Sequence, residues 1–194
     1  MKNKIKELLL STKRDGMENL VAHMEANGFF EAPCSGSYHL ANKGGLAEHS
    51  WNVYAIASDL RKCFGVDIPE ESIIICSLLH DIGKMGQFGK ANYVPNMLKG
   101  RGKDATPYQS EKKPFITNPD LLYVDHEVRA MSIISKYIDL TEEEQTAILY
   151  HNGLYGAFKY QIQGKETPLY MILHWADMWA SRVIEKGSEV DADV

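Results

Sequence analysis

Cysteine is scarce in this chain of 194 residues, which has only Cys34, Cys63 and Cys76 and no Cys-x-x-Cys pair. This spacing indicates neither a disulfide framework nor a thiolate zinc site. It is typical of a protein from a reducing compartment. Alternating strand patterns are also missing, apart from a short hairpin that the sequence allows at 159–163. We therefore expect a fold built from helices.

Long hydrophobic runs are absent as well. No segment approaches the roughly 20 apolar residues that span a bilayer. The apolar block in MKNKIKELLLSTKRDG is too short for the hydrophobic region of a signal peptide. Positive charge is not in excess, since the net charge is -5, and this argues against a dedicated nucleic-acid coat protein. These absences predict a cytoplasmic protein with no membrane partner.

Helical periodicity is what the chain does contain. It predicts an all-α fold, a bundle of about seven helices that forms one domain over residues 1–194, with a frayed tail at 187–194. Thr141 and Glu144 form a capping-box pattern at one helix start. The three tryptophans lie at helical spacings and are expected in the core: Trp51, Trp175 and Trp179.

The stretch 71–84, ESIIICSLLHDIGK, is apolar until it ends in His80, Asp81 and Lys84. Periodicity does not separate a buried strand from a buried helix here, but the length and the flanking Pro69 and Gly83 favour a helix. A helix that is apolar on nearly all sides belongs in the core, where polar groups need partners. A metal ion would satisfy the histidine and the aspartate together.

Residues 85–125 differ from the rest because they are rich in glycine and proline and show little helical period. This irregular insertion is locally basic, with Lys99, Arg101 and Lys103 among its cations. One interpretation is a solvated surface loop. The other is a lid in which Arg101 and Lys103 meet an anionic substrate.

Seven histidines are present, and four of them fall at or near predicted helix ends together with two aspartates: His49, His80, His126 and His151 with Asp81 and Asp177. Imidazole and carboxylate ligands without thiolate suit Mn²⁺, Fe²⁺, Co²⁺, Ni²⁺ or Zn²⁺, with Mg²⁺ also allowed. A carboxylate can bridge two ions about 3.5–4 Å apart, the arrangement that promotes phosphoryl transfer.

The order of His49, His80-Asp81 and Asp177 resembles the H…HD…D pattern of the HD superfamily of metal-dependent phosphohydrolases. The surrounding words GGLAEHSWNV, LLHDIGK and LHWADMWAS resemble it too. The chain is similar to the HD domain of a bacterial 3′-to-5′ exoribonuclease and to small stand-alone bacterial and phage HD proteins. The likeness extends over nearly the whole chain and is weakest in the basic insertion.

The resemblance implies two divalent ions. It assigns one ion to His49, His80, Asp81 and Asp177, and the other to His126, His151 and a bridging Asp81. Many relatives have His-His where this chain has His151-Asn152, so whether His151 is the ligand or its neighbour stays open.

The resemblance also implies that Lys84, the lysine of HDxxK, contacts the substrate phosphate; the alternative is a lysine that complements a helix dipole. Tyr38 and His39 are candidates to line the pocket, against a buried, hydrogen-bonded histidine. His174 is expected beside the ligands or in the core. Glu127 either orients a water molecule or is a solvated carboxylate.

The resulting hypothesis is a phosphohydrolase or phosphodiesterase that hydrolyses a nucleotide or a short nucleic-acid phosphoester through a metal-activated water, with Asp81 and Lys84 as catalytic residues. A small nucleotide is preferred, and short RNA or DNA stays open. One alternative is a non-enzymatic nucleotide-binding regulatory module that retains the metal site. Another is a helical interaction protein whose histidines are incidental.

Overall fold

Eight α-helices lie within residues 1–100 and 105–186, the part of the chain that this computed structural model describes. They are α1 Lys2–Ser11, α2 Met17–Ala26, α3 Gly45–Phe64, α4 Glu70–Leu79, α5 His126–Ile134, α6 Glu142–Tyr150, α7 Lys159–Ile162 and α8 Pro168–Trp179. Short 3₁₀-helices occupy Ile82–Met85 and Gly153–Tyr155, and a π-helix at Ala180–Ile184 continues α8. The predicted all-α fold is confirmed. The hairpin allowed at 159–163 is wrong, because α7 lies there.

Local sequence explains where the helices begin and end. Gly44 and Gly65 flank α3 in the left-handed conformation that glycine adopts most easily. The capping box predicted at Thr141 and Glu144 is present, with both reciprocal hydrogen bonds. Pro168 is the first residue of α8, where a missing N–H costs nothing.

Helix α4 lies at the centre of the bundle. Every residue from Ser72 to Leu79 is buried, and the helix packs against α1, α3, α6 and α8. Because apolar neighbours surround this helix, its C-terminal end lies in the protein interior. His80 and Asp81, which follow that end, are therefore buried as well. The burial of this hydrophobic helix therefore places two polar side chains deep in the protein.

The insertion at 85–125 contains strands that its sequence did not reveal. Strand β1 (Tyr93–Pro95) pairs antiparallel with β4 (Phe115–Thr117), and β2 (Met97–Leu98) pairs with β3 (Tyr108–Gln109). The expectation of an irregular segment is corrected to this extent. Strands of two or three residues are too short for a periodic pattern, and their partners are far along the chain. Arg101 and Lys103, like the tail at 187–194, lie outside the described residues.

Two tryptophans are not in the core. Trp175 and Trp179 are 38% and 56% exposed, while Trp51 is half-buried against the core. The buried face of α8 is formed instead by Leu169, Ile172, Leu173 and Ala176. No helix in the described residues is long and apolar enough to cross a membrane.

Candidate metal centre

Asp81 lies at the centre of a cluster of imidazoles. Its Oδ1 is 3.2 Å from Nε2 of His126 and 3.5 Å from Nε2 of His151. Its Oδ2 is 3.4 Å from Nε2 of both His49 and His80. One carboxylate thus presents a different oxygen to each of two histidine pairs, which is the geometry that a bridging ligand requires.

Five helices deliver these side chains to one place. His49 is in the second turn of α3, His80 follows α4, His126 begins α5 and His151 follows α6. Asp177 of α8 completes the group, with Oδ1 3.1 Å from Nε2 of His49. All six residues predicted as metal ligands are therefore brought together.

Gly83 permits the close approach of α5. A Cβ at this position would collide with the backbone carbonyl oxygen of His126. The φ of Gly83 is not positive, so glycine is needed here for space and not for an unusual backbone conformation. The register of His126 against Asp81 depends on this contact.

The Nδ1 atom of each of the four histidines has a partner outside the cluster. Nδ1 of His80 donates to the Ser77 carbonyl at 2.9 Å, and Nδ1 of His151 donates to the Ile148 carbonyl at 2.7 Å. The other two face carboxylates: His49 Nδ1 is 3.0 Å from Glu185, and His126 Nδ1 is 3.3 Å from Glu127. In a neutral imidazole with its proton on Nδ1 the lone pair is on Nε2, and all four Nε2 atoms face Asp81.

This convergence tests whether the residues fit a metal. Nε2 of His49 and Nε2 of His80 are only 3.3 Å apart, and the buried Oδ1 of Asp81 forms no hydrogen bond within the described residues. Neutral imidazoles in this arrangement would place acceptors against one another in a buried site, which is costly unless a cation lies between them. Four residue groups have ligand atoms within 4.8 Å of one another: His49-His80-Asp81, His80-His151-Asp177, Asp81-His126-His151 and, beside them, Cys34-His39-His49. The first three groups contain only nitrogen and oxygen donors, a set that fits divalent transition metals.

Lys84 lies against the same carboxylate, with Nζ 2.7 Å from Asp81 Oδ2. Burial alone would raise the pKa of Asp81, but the charge of Lys84 holds that pKa well below its ordinary value. Burial would lower the pKa of Lys84, and Asp81 instead raises it well above the ordinary value. Lys84 is poorly placed to complement the dipole of α4, because α4 ends at Leu79 and Lys84 belongs to the following 3₁₀-helix.

Two residues near the centre were not expected from the sequence. Glu185 contacts His39 and His49, and Cys34 Sγ lies 3.8 Å from His39 Nε2 and 4.0 Å from Asp81 Oδ2. No sequence signal separates Glu185 from the other acidic residues near the polar C-terminus. Burial alone would lower the pKa of His39, but its hydrogen bonds to Cys34 and Glu185 raise that pKa to about 9.

A cavity of about 190 Å³ opens beside Asp177. Its lining comprises Tyr38, His39, Lys84, Asn152, Tyr155, His174, Asp177, Met178, Ser181 and Arg182. Three residues predicted to bind substrate, Tyr38, His39 and Lys84, are among them, whereas no described residue of 86–125 is. His174 lines the cavity and donates from Nδ1 to the His151 carbonyl at 2.7 Å, so it lies beside the ligands as expected.

Glu127 is buried, so the interpretation of a solvated first-turn carboxylate is wrong. It accepts a hydrogen bond from the Asn152 amide, whose nitrogen is also 3.1 Å from His126 Nε2. Asn152 thus touches both His126 and its neighbouring carboxylate.

Comparison with known families agrees with this architecture. The family described as HD domain matches residues 46–178, which is more than half of the chain and extends from α3 to α8. No curated protein and no solved structure matches the chain significantly. With its helical fold and its histidine-aspartate cluster, the chain belongs to the HD domain family, a family of metal-dependent phosphohydrolases.

Proposed function

We propose that this protein is a metal-dependent phosphohydrolase or phosphodiesterase that hydrolyses a nucleotide or a short nucleic-acid phosphoester. One observation carries the proposal: Asp81 presents one oxygen to His49 and His80 and the other to His126 and His151. Such a bridge between two imidazole pairs suits a pair of divalent ions.

The ions would be held by His49, His80, Asp81 and Asp177 on one side and by His126, His151 and Asp81 on the other. When bound, they would supply Lewis acidity toward the phosphoryl oxygens and lower the pKa of water. The low pKa of Asp81 favours a permanent anionic ligand and hydrogen-bond acceptor over a group that stores a proton.

Lys84 is placed to bind a phosphoryl oxygen. Its ammonium group lies beside Asp81 and borders the cavity, so a phosphate that enters meets a fixed positive charge next to the metal ligands. Charge developing on the equatorial oxygens during phosphoryl transfer is stabilised by such a pre-positioned cation.

Arg182 supplies a second cation at the cavity. Its guanidinium lies 4.7 Å from the ring centroid of Tyr155, and both side chains line the cavity with Lys84. A guanidinium held against an aromatic ring keeps its N–H groups available for two-point binding of phosphate. We therefore assign Arg182 to a phosphate that does not react, or to the other ester oxygens of a diester.

The size of the cavity favours a small substrate. Its volume of about 190 Å³ is below the roughly 300–1,000 Å³ of typical ligand pockets. The phosphate and part of the sugar fit inside, while the base extends toward the exposed rings of Tyr38 and Tyr155. This arrangement supports a nucleotide or the end of a short strand.

The test is release of phosphate or nucleoside from mononucleotides, dinucleotides, cyclic nucleotides and short RNAs, with Mn²⁺, Co²⁺, Ni²⁺ or Mg²⁺ added. Asp81→Ala should be inactive. Asp59→Ala, which removes an exposed aspartate of α3, is the matched control and should act as wild type. If the wild type binds metal but releases neither phosphate nor nucleoside from any substrate in the panel, the regulatory nucleotide-binding module is favoured.

A further inference from the structure

The carboxylate of Glu185 is buried although the residue stands at the end of the described chain. Its side chain is 1% exposed, while its neighbour Ile184 is 51% exposed. Oε1 lies 3.0 Å from Nδ1 of His49 and accepts a hydrogen bond from the Asn52 amide at 3.0 Å, and Oε2 contacts Nδ1 of His39. One carboxylate thus joins α3 to the loop that carries His39.

The π-helix explains how Glu185 reaches this place. On a regular α-helix, Glu185 would be rotated about 80° from the face of Asp177. The backbone N–H of Glu185 instead donates to the Ala180 carbonyl at 2.9 Å, a bond that spans five residues. Each residue of a π-turn rotates less than in an α-helix, so the widened turn brings Glu185 toward the face of Asp177. Such π-turns are often found at functional sites.

We propose that Glu185 is a positioning residue that fixes the ring and tautomer of His49 and thereby the affinity of the metal site that His49 serves. A carboxylate on the far nitrogen of a ligating histidine holds the proton on Nδ1 and makes Nε2 a better donor. The proposal rests on the metal centre of the proposed function but not on the phosphoester reaction.

The second histidine pair offers an internal comparison. Glu127 stands 3.3 Å from Nδ1 of His126, as Glu185 stands to His49. His80 and His151 use backbone carbonyls, which a mutation cannot remove. Glu185 and Glu127 should therefore act on different metal sites, one at each oxygen of Asp81.

The experiment measures Co²⁺ binding to metal-free protein by equilibrium dialysis and visible absorption. Glu185→Gln should weaken one of two binding steps by about 10–100-fold and change the absorption of that step. Glu127→Gln should weaken the other step, and Glu185→Gln with Glu127→Gln should weaken both. Glu7→Gln, on the exposed face of α1, is the matched control and should change neither.

Thermal unfolding of the metal-free variants separates positioning from stability. If Glu185→Gln fails to fold, Asn52→Ala removes one hydrogen bond to the same carboxylate and should produce a smaller weakening of the same step. Wild-type affinity and absorption in Glu185→Gln and Asn52→Ala would overturn the positioning role and leave the proposed function intact. Failure of wild type to bind Co²⁺ would overturn both.

Discussion

Lys84 and Asp81 form a buried ion pair, with Nζ 2.7 Å from Oδ2, on the carboxylate that faces all four histidines of the cluster. The lysine is 15% exposed and the aspartate 1% exposed. The same carboxylate thus neutralises a lysine and bridges the candidate metal ligands, so substitutions at the pair should affect both stability and metal binding.

Asp81→Asn should abolish binding of both ions and destabilise the metal-free protein by about 2–4 kcal/mol, because it leaves the Lys84 charge without its partner. Asp81→Asn combined with Lys84→Met should recover most of that stability without recovering metal. Denaturant unfolding of the metal-free proteins and metal analysis check this. Equal stability of the single and double variants would contradict the ion-pair account.

Lys84→Met should lower kcat by about 100-fold or more, because a cation aimed at the transferring phosphoryl group is lost. Both metal ions should stay bound, since Lys84 is not a ligand. Steady-state kinetics and metal analysis of the same variant check that kcat falls while the metal content is unchanged. Unchanged kinetics would remove Lys84 from the reaction.

Arg182→Ala should raise KM by about 10-fold for diesters and for substrates with a second phosphate, and much less for mononucleoside phosphates. Arg182→Lys should recover little, because an ammonium cannot replace the stacked, two-point guanidinium. Lys165→Ala removes an exposed cation away from this cavity and serves as the charge control. Equal KM changes for both substrate types would contradict the assignment.

The stability of the metal-free protein should fall as pH rises from about 6.5 to about 9. The folded-state pKa of His39 is raised to about 9, whereas the unfolded value is about 6.5. A raised pKa stabilises the folded state fully below the unfolded pKa, and this stability is lost as pH rises through the folded pKa. Through His39, the free energy of unfolding should fall by at most about 3 kcal/mol over this pH range.

His39→Gln should flatten the fall in stability between pH 6.5 and 9. Urea unfolding of the metal-free wild type and the variant at both pH values measures the difference. Parallel pH profiles would show that His39 does not carry the effect.

Gly83→Ala should displace α5, because the added methyl group collides with the His126 carbonyl. We expect a loss of stability of about 1–3 kcal/mol, typical of overpacking. Metal binding should fail first at the pair His126 and His151, while the site with His49 is retained. Dialysis with Co²⁺ checks this. Simultaneous loss of both sites would indicate general unfolding instead.

The sequence was sufficient for the helical class, the burial of α4 and the six residues of the cluster that has Asp81 at its centre. Apolar periodicity reports burial directly, and the capping box at Thr141 is a local signal. The resemblance to the H…HD…D pattern identified His49, His80, Asp81 and Asp177, and the positions of His126 and His151 at predicted helix ends added the other two. The role of each ligand in metal binding stays a prediction.

Contacts between distant segments were decided only by the tertiary structure. The strands at 93–117 pair across the insertion, and the burial of Glu127 requires Asn152 of another helix end. Glu185 reaches His49 through a π-turn, and the aromatic side chains of Trp175 and Trp179 fall beside the buried face of α8. Residues close in sequence determine helix formation and burial, whereas these features depend on where a second, distant segment of the chain packs.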